Sequence, residues 1–315
     1  MTTNSPTQEK TIFGHPAGLY ILFFVEMWER FSYYGMRAIL TLYLAAPIIM
    51  GDPQSGFGWT NAETLSFYGT YTMFVYLMSI PGGWVADKYI GQKKAVMLGG
   101  ILLCFGHGVL AIDAEWAFFT GLILIVVGVG FLKPNISTMV GGLYKKGDIK
   151  RDDGFYIFYM GINIGAFLGA LTVGAVAAKY GWHYGFGLAG IGMAIGQLVY
   201  FYGLQYLEGV GEYIGSDKSP DKELMNKPLS RVEKDRMIVL FLSFLIIIVF
   251  WGAFEQAGGL MNLYTEQKTD RTLAFSLPFI GNEVPAAIFQ SINAFFIIIF
   301  ATVVAGFWSN WAKKG

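Results

Sequence analysis

The sequence predicts an all-α integral membrane protein, on three observations. Only 14% of its 315 residues are charged, where a soluble domain carries roughly 25%. Mean hydropathy is +0.49, and 54% of residues are hydrophobic with 41 glycines, a composition suited to membrane helices that pack backbone against backbone. Apolar runs of about 20 residues, enough to cross a hydrocarbon core, recur eight times: roughly 17–46, 61–81, 94–112, 116–143, 154–178, 180–206, 236–263 and 284–312. This composition excludes disorder and argues against a soluble enzyme. The 22 basic and 22 acidic residues cancel, leaving no polybasic face for nucleic acid, and the single Cys104 excludes a disulfide framework or a cysteine zinc site.

The polar start MTTNSPTQEK has no apolar core, so no cleaved signal peptide is expected, and residues 1–16 read as a tail. Spans three and four nearly touch at Asp113 and Glu115, and spans five and six at Lys179, so each pair is expected to be a tight helical hairpin. The polar stretch 208–235 reads as a linker between a first unit, 17–207, and a second, 236–315. Sixteen of the basic residues fall on the side of the N-terminus, among them Lys10, Lys88, Lys93, Lys94, Lys145, Lys146, Lys150, Arg151, Lys313 and Lys314. The opposite side has Lys179, Lys268 and Arg271. The positive-inside rule therefore puts the N-terminus and the linker in the cytoplasm.

Three basic residues (Arg30, Arg37, Lys133) and three acidic ones (Glu26, Glu29, Glu255) remain inside spans. A charge at a helix centre costs about 2.5–3.5 kcal/mol on the insertion scale, so such groups pair and usually line a polar pathway. At 100° per residue Glu26, Glu29, Arg30, Tyr33 and Arg37 fall within an arc of about 100°, one polar stripe on span one. Depth supplies the partners. Glu29 and Lys133 each lie about 25 Å below the outer ends of their spans at 1.5 Å per residue, so Glu26, Glu29, Arg30 and Lys133 are expected to cluster. Arg37 and Glu255 also match in depth and are expected to pair. The competing reading is that these charges only staple helices together.

Lys133-Pro134-Asn135 is expected to interrupt span four, because proline has no amide donor for the Gly130 carbonyl. Gly161, Gly165 and Gly169 recur every four residues in span five as a small-residue packing face. Asn163 shares a face with Tyr156 and Tyr159, Trp251 and Glu255 are i, i+4 neighbours, and Gln290 and Asn293 give span eight a polar face. Asn135-Ile-Ser137 lies within a span, Gly128-Val-Gly130 lacks a strand-and-helix frame, and His15, His107 and His183 are scattered. No nucleophile-and-base arrangement is found, so neither an enzyme nor a metal or organic cofactor is expected.

The run Glu26-Met-Trp-Glu29-Arg30-Phe31-Ser-Tyr33-Tyr34-Gly35 resembles the E-x-x-E-R-F-x-Y-Y-G motif of the proton-coupled oligopeptide transporters in the major facilitator superfamily. Pro81-Gly82-Gly83-Trp84-Val85-Ala86-Asp87 before Gly91-Gln92-Lys93-Lys94 is similar to the superfamily's cytoplasmic loop between spans two and three. Lys133-Pro134-Asn135, Phe158-Tyr159-Met-Gly-Ile-Asn163-Ile-Gly165, Phe250-Trp251 to Gln256 and Phe289 to Asn293 are similar to later family segments. The resemblance implies a six-helix N-terminal bundle followed by the first two helices of a C-terminal bundle, in a plasma-membrane carrier that moves di- and tripeptides with protons by alternating access. It implies proton coupling at Glu26, Glu29, Arg30 and Lys133, and a gate at Arg37 and Glu255. Peptide contacts would come from Tyr33, Tyr34, Arg37, Tyr76, Lys133, Asn163, Trp251, Glu255 and Asn293, and the loop motif from Asp87, Lys93 and Lys94. A monomer is expected, with the bilayer, peptides and H⁺ as its partners.

Family members have twelve or fourteen spans, and the eight found here end before the acidic residue the family carries on its tenth. Two other readings therefore stand beside peptide symport: a carrier of the same superfamily for another small solute such as nitrate, and a shortened chain inactive in transport.

Overall fold

The computed structural model describes residues 11–145, 147–213 and 228–312. Lys10, Lys146, Lys313, Lys314 and half of the expected linker, residues 214–227, lie outside the described residues. The chain opens on a two-stranded turn, β1 (Thr11–Ile12) with β2 (His15–Pro16), and enters α1 (Ala17–Ala45). Then come α2 (Asn61–Leu77), α3 (Ser79–Val85), a π-helical turn (Ala86–Ile90), α4 (Gln92–Leu110), α5 (Glu115–Gly142), α6 (Lys150–Tyr180) and α7 (Trp182–Gly203). Beyond Ser230 follow α8 (Arg231–Phe254), a short 3₁₀ turn (Glu255–Ala257), α9 (Leu260–Lys268), the antiparallel hairpin β3 (Thr272–Leu277) and β4 (Gly281–Glu283), and α10 (Gln290–Ala312).

Among the described residues six helical segments are long and apolar enough to cross a membrane: Gln92–Leu110, Glu115–Gly142, Lys150–Tyr180, Trp182–Leu207, Arg231–Lys268 and Ala286–Trp308. These make the chain a multi-pass membrane protein of the all-α class. The first two expected spans fall short for physical reasons. α1 is long enough at 29 residues, but Glu26, Glu29, Arg30 and Arg37 occupy its middle. The second is divided at Met78 into α2 of 17 residues and α3 of seven.

α1 is the central helix: 21 of its 29 residues are buried, and it packs on α6 and α7. Glycines set its distance from α6. A Cβ at Gly165 would stand 2.1 Å from the Met27 carbonyl oxygen, and one at Gly169 2.3 Å from that of Phe31. The four-residue glycine repeat is thus the surface that lets the two backbones touch. α6 turns into α7 through Gly181 alone, at φ +113°, a conformation that disfavours side chains. α2 starts on a capping box in which the Thr60 hydroxyl and the Glu63 carboxylate satisfy each other's backbone amides.

Three expectations about local structure are corrected. Span four is not interrupted: α5 runs through Pro134 as one helix, and the Gly130 carbonyl that proline leaves free lies against Gly82 of α3, where a Cβ would come within 2.1 Å. The expected loop around Asp87 is instead helical through Ile90, and Gly91 at φ +82° makes the turn into α4. The seventh span breaks at Gly258–Gly259, so Glu255 sits on a 3₁₀ turn between two helices. The β3–β4 hairpin, which hydropathy did not reveal, follows Asp270, whose carboxylate accepts the Thr272 amide at 3.0 Å and is thereby held below its usual pKa.

A charged cavity between α1, α5, α6, α8 and α10

Of the six intramembrane charges, α1 supplies four. The Arg30 guanidinium Nε lies 2.7 Å from Glu26 Oε1, to which it donates a hydrogen bond, and 2.9 Å from Glu29 Oε2. All three side chains are buried, Glu29 completely. Glu29 gains the charge contact but no directed hydrogen bond at either oxygen. Further along α1, Arg37 Nη1 donates to Glu255 Oε2 at 2.9 Å, and the Tyr76 hydroxyl donates to Glu255 Oε1 at 3.0 Å. The Tyr68 hydroxyl contacts both the carboxylate and the carbonyl of Glu255 at 3.4 Å. Arg37 also stacks over the Tyr34 ring, 4.9 Å from its centroid.

Lys133 departs from the expected cluster. It forms no ion pair with Glu26 or Glu29; its Nζ stands 4.3 Å above the Tyr76 ring centroid, a cation–π contact. Matched depth says nothing of its azimuth around α5, and the Tyr76 ring of α2 is the partner it meets. Lys133 still feels the fields of Glu26, Glu29 and Glu255.

These groups border a cavity of about 670 Å³. Its wall includes Glu26, Arg30, Tyr34, Arg37, Tyr76, Lys133, Asn163, Trp251 and Asn293 from the sequence reading. Tyr159 and Gln290, from the polar faces expected on α6 and α10, line it too, and Ser137 is added. Glu255 meets the cavity through Arg37 and Tyr76 and closes the end nearer Ala45. Glu29 and Tyr33 do not line it: both are buried in the helix packing, Tyr33 edge-on to Tyr34 at 5.5 Å. The angular reading needs this correction. At 100° per residue the cavity side of α1 spans about 80°, from Glu26 through Arg37 and Arg30 to Tyr34, while Glu29 and Tyr33 lie on one flank of that arc. Tyr68 was missed; its signal was the run Thr64, Tyr68, Tyr71, Thr72 and Val75 along the buried face of α2.

The motif residues near Gly91 part company. Lys93 pairs with Glu212 beyond α7, and the Tyr200 hydroxyl donates to the Lys93 carbonyl at 2.8 Å, so Lys93 ties α4 to the end of α7. Asp87 stays on the π-helical turn and Lys94 on the first turn of α4, away from the cavity.

A second cavity, about 830 Å³, lies beyond the Arg37–Glu255 end, between α1, α6, α9 and the hairpin. It holds none of the six charges, and its Arg271 is neutralised by Glu266 and Glu283. Among the described residues no group of three or more His, Cys, Asp or Glu side chains is placed to hold a metal ion.

A helical membrane fold with a charged cavity between its helices points to the class of membrane carriers. The profile of the POT family matches residues 93–212 and 221–315, and the chain belongs to that family. It is 35% identical to the peptide transporter YePEPT of Yersinia enterocolitica, over 99% of this chain and 71% of the relative. It is 42% identical to a di-/tripeptide transporter of Lactococcus lactis, over 79% of this chain and 48% of that protein. The fold is similar to a crystal structure of a peptide transporter POT in complex with sulfate, with TM-score 0.76 and 33% identity over 98% of this chain and 71% of the other. A POT family transporter in complex with 5-aminolevulinic acid aligns with TM-score 0.76 and 31% identity, over 98% and 73%.

Proposed function

We propose that this chain carries di- and tripeptides into the cell in symport with protons, by alternating access about the charged cavity. The observation that carries the reading is the charge arithmetic of the site. Arg30 faces two carboxylates and Arg37 faces one, so with all groups ionised the deep triad has one negative charge in excess and Lys133 one positive charge without a paired carboxylate. Glu29, with no directed donor, is the carboxyl that takes the proton. Its protonation leaves Glu26 and Arg30 as a neutral pair and removes the field that held Lys133 inward, freeing that ammonium for the carboxylate of a peptide. A zwitterionic peptide also needs an anion near its amine, amides for its backbone and apolar walls for its side chains. Asn163, Asn293, Trp251 and Tyr34 supply the amides and apolar walls around one volume, and Glu255, held at its edge by Arg37 and Tyr76, supplies the anion.

In this reading residues 17–207 form one unit and 236–315 belong to the other. The Arg37–Glu255 pair is the outer gate and is shut, and the N-terminus lies in the cytoplasm of a cell whose plasma membrane holds the protein as a monomer. The coupling ion is H⁺, no other cofactor takes part, and no chemical reaction is catalysed. Peptide binding and protonation act by differential affinity for the two gate states.

Uptake of labelled dialanine by liposomes holding the protein, under an inward proton gradient, tests this. Competition by unlabelled tripeptide but not by free alanine or nitrate is the expected result. Competition by nitrate in place of tripeptide would move the protein to another solute, and no uptake at all would favour the inactive-chain reading.

A further inference from the structure

One helical turn beyond the gate pair, α1 and α9 are joined by a buried polar contact that the charges do not account for. Asn262 of α9, 1% exposed, donates from Nδ2 to the Ala38 carbonyl at 2.8 Å and to Thr41 Oγ1 at 3.1 Å. Thr41, fully buried, donates in turn to the Gly258 carbonyl at 3.0 Å. Thr41 lies four residues after Arg37 on the same side of α1, and Gly258 three after Glu255. The same two segments that carry the ion pair therefore carry these bonds. The Gly258–Gly259 break makes the approach possible: a Cβ at Gly258 would stand 2.3 Å from the Tyr68 hydroxyl oxygen and 3.0 Å from Arg37 Nε.

The amide orientation is dictated by its neighbours. Turned over, Asn262 would set Oδ1 against the Ala38 carbonyl, acceptor against acceptor. In the observed orientation Oδ1 is buried without a partner. A contact built only for stability would satisfy that atom, whereas one that must release gains hydration of Oδ1, the Thr41 hydroxyl and the Gly258 carbonyl when the segments part.

We propose that Asn262 and Thr41 form a clasp that sets how readily the outer gate opens, Asn262 being a positioning residue that holds the Glu255 turn against Arg37. The proposal rests on the alternating-access reading above.

The test uses the full chain in liposomes, with Cys104→Ser and nitroxide labels on cysteines at Ala62 and Lys268. Both positions are exposed and flank the Asn61–Gln267 contact that bridges the same side. Pulsed dipolar spectroscopy reads the closed and open populations. Asn262→Leu and Thr41→Val are each expected to raise the open fraction roughly 2- to 10-fold, the size of one net hydrogen bond, while Thr41→Ser, which keeps the hydroxyl, matches the parent. Arg37→Ala is the reference that opens the gate. If it widens the distance and neither clasp variant does, or if those variants lower only the melting temperature, the clasp is refuted and alternating access stands. If none of the three widens it, alternating access fails and the clasp with it. Should Asn262→Leu not fold, Thr41→Val alone decides.

Discussion

α1 and α8 are both long helices walling the same cavity, and they solve opposite problems. α1 holds four charged residues and buries 21 of its 29 positions. α8, with its run Phe244-Leu-Ile-Ile-Ile-Val-Phe250, has no buried residue, and nothing among the described residues covers its outer side. The polar helix is the enclosed one because its charges require protein around them in a bilayer, whereas the bare face of α8 carries no such reading, since this chain spans 71% of its longer relatives. Lipid accepts an apolar helix at no cost, whereas carboxylates and guanidinium groups must be enclosed by protein that pairs them. α8 contributes a wall of Ile247, Ile248, Trp251 and Phe254; α1 contributes the charges.

Breaking α1 should therefore cost far more than altering α8, and the largest effect is expected at Arg30. Arg30→Ala leaves Glu26 and Glu29 buried without a cation, which should destabilise the protein by about 3–5 kcal/mol and abolish uptake; a thermal melt in detergent beside a transport assay measures both. Next comes the α1–α6 contact. Gly165→Ala forces a methyl against the Met27 carbonyl and should lower stability by about 1–3 kcal/mol, read as a drop in melting temperature. The gate pair sharpens the comparison, since it joins α1 to the end of α8. In a double-mutant cycle of Arg37→Ala and Glu255→Gln on dialanine uptake, the coupling should be about 0.5–3 kcal/mol, and additivity would mean that the two do not act together. The smallest effect belongs to α8: Gly252→Ala has open space around it and should change the melting temperature little or raise it, by up to about 1 kcal/mol of helix propensity.

What the sequence disclosed follows the same division. The apolar runs located α1 to α7 within about four residues but began the span of α8 at 236 instead of Arg231, ran it on to 263 past its end at Phe254, and began that of α10 at 284 instead of Gln290. The glycine spacing of α6 identified its contact face because 3.6-residue periodicity survives folding unchanged. Matched depth paired Arg37 with Glu255, since a bilayer fixes height. Azimuth is not encoded that way. Nothing in α1 alone says which part of its polar arc faces the cavity, so the stripe of Glu26, Glu29, Arg30, Tyr33 and Arg37 includes two residues, Glu29 and Tyr33, that the cavity does not reach, and Lys133 is expected beside Glu29 instead of over the Tyr76 ring. The break at Gly258–Gly259 was hidden by the apolar residues on both sides of it. Asn262 carried no signal of its own, because its partners are the Ala38 carbonyl and a threonine more than 200 residues away.

Proton entry is proposed to be coupled to peptide movement by the buried carboxyl of Glu29. Dialanine uptake by Glu29→Gln, measured across external pH with and without a proton gradient, tests it most directly. Gradient-driven accumulation and its pH dependence are expected to be lost in this variant, while exchange of internal for external peptide continues. Accumulation as pH-dependent as that of the parent protein would contradict this coupling.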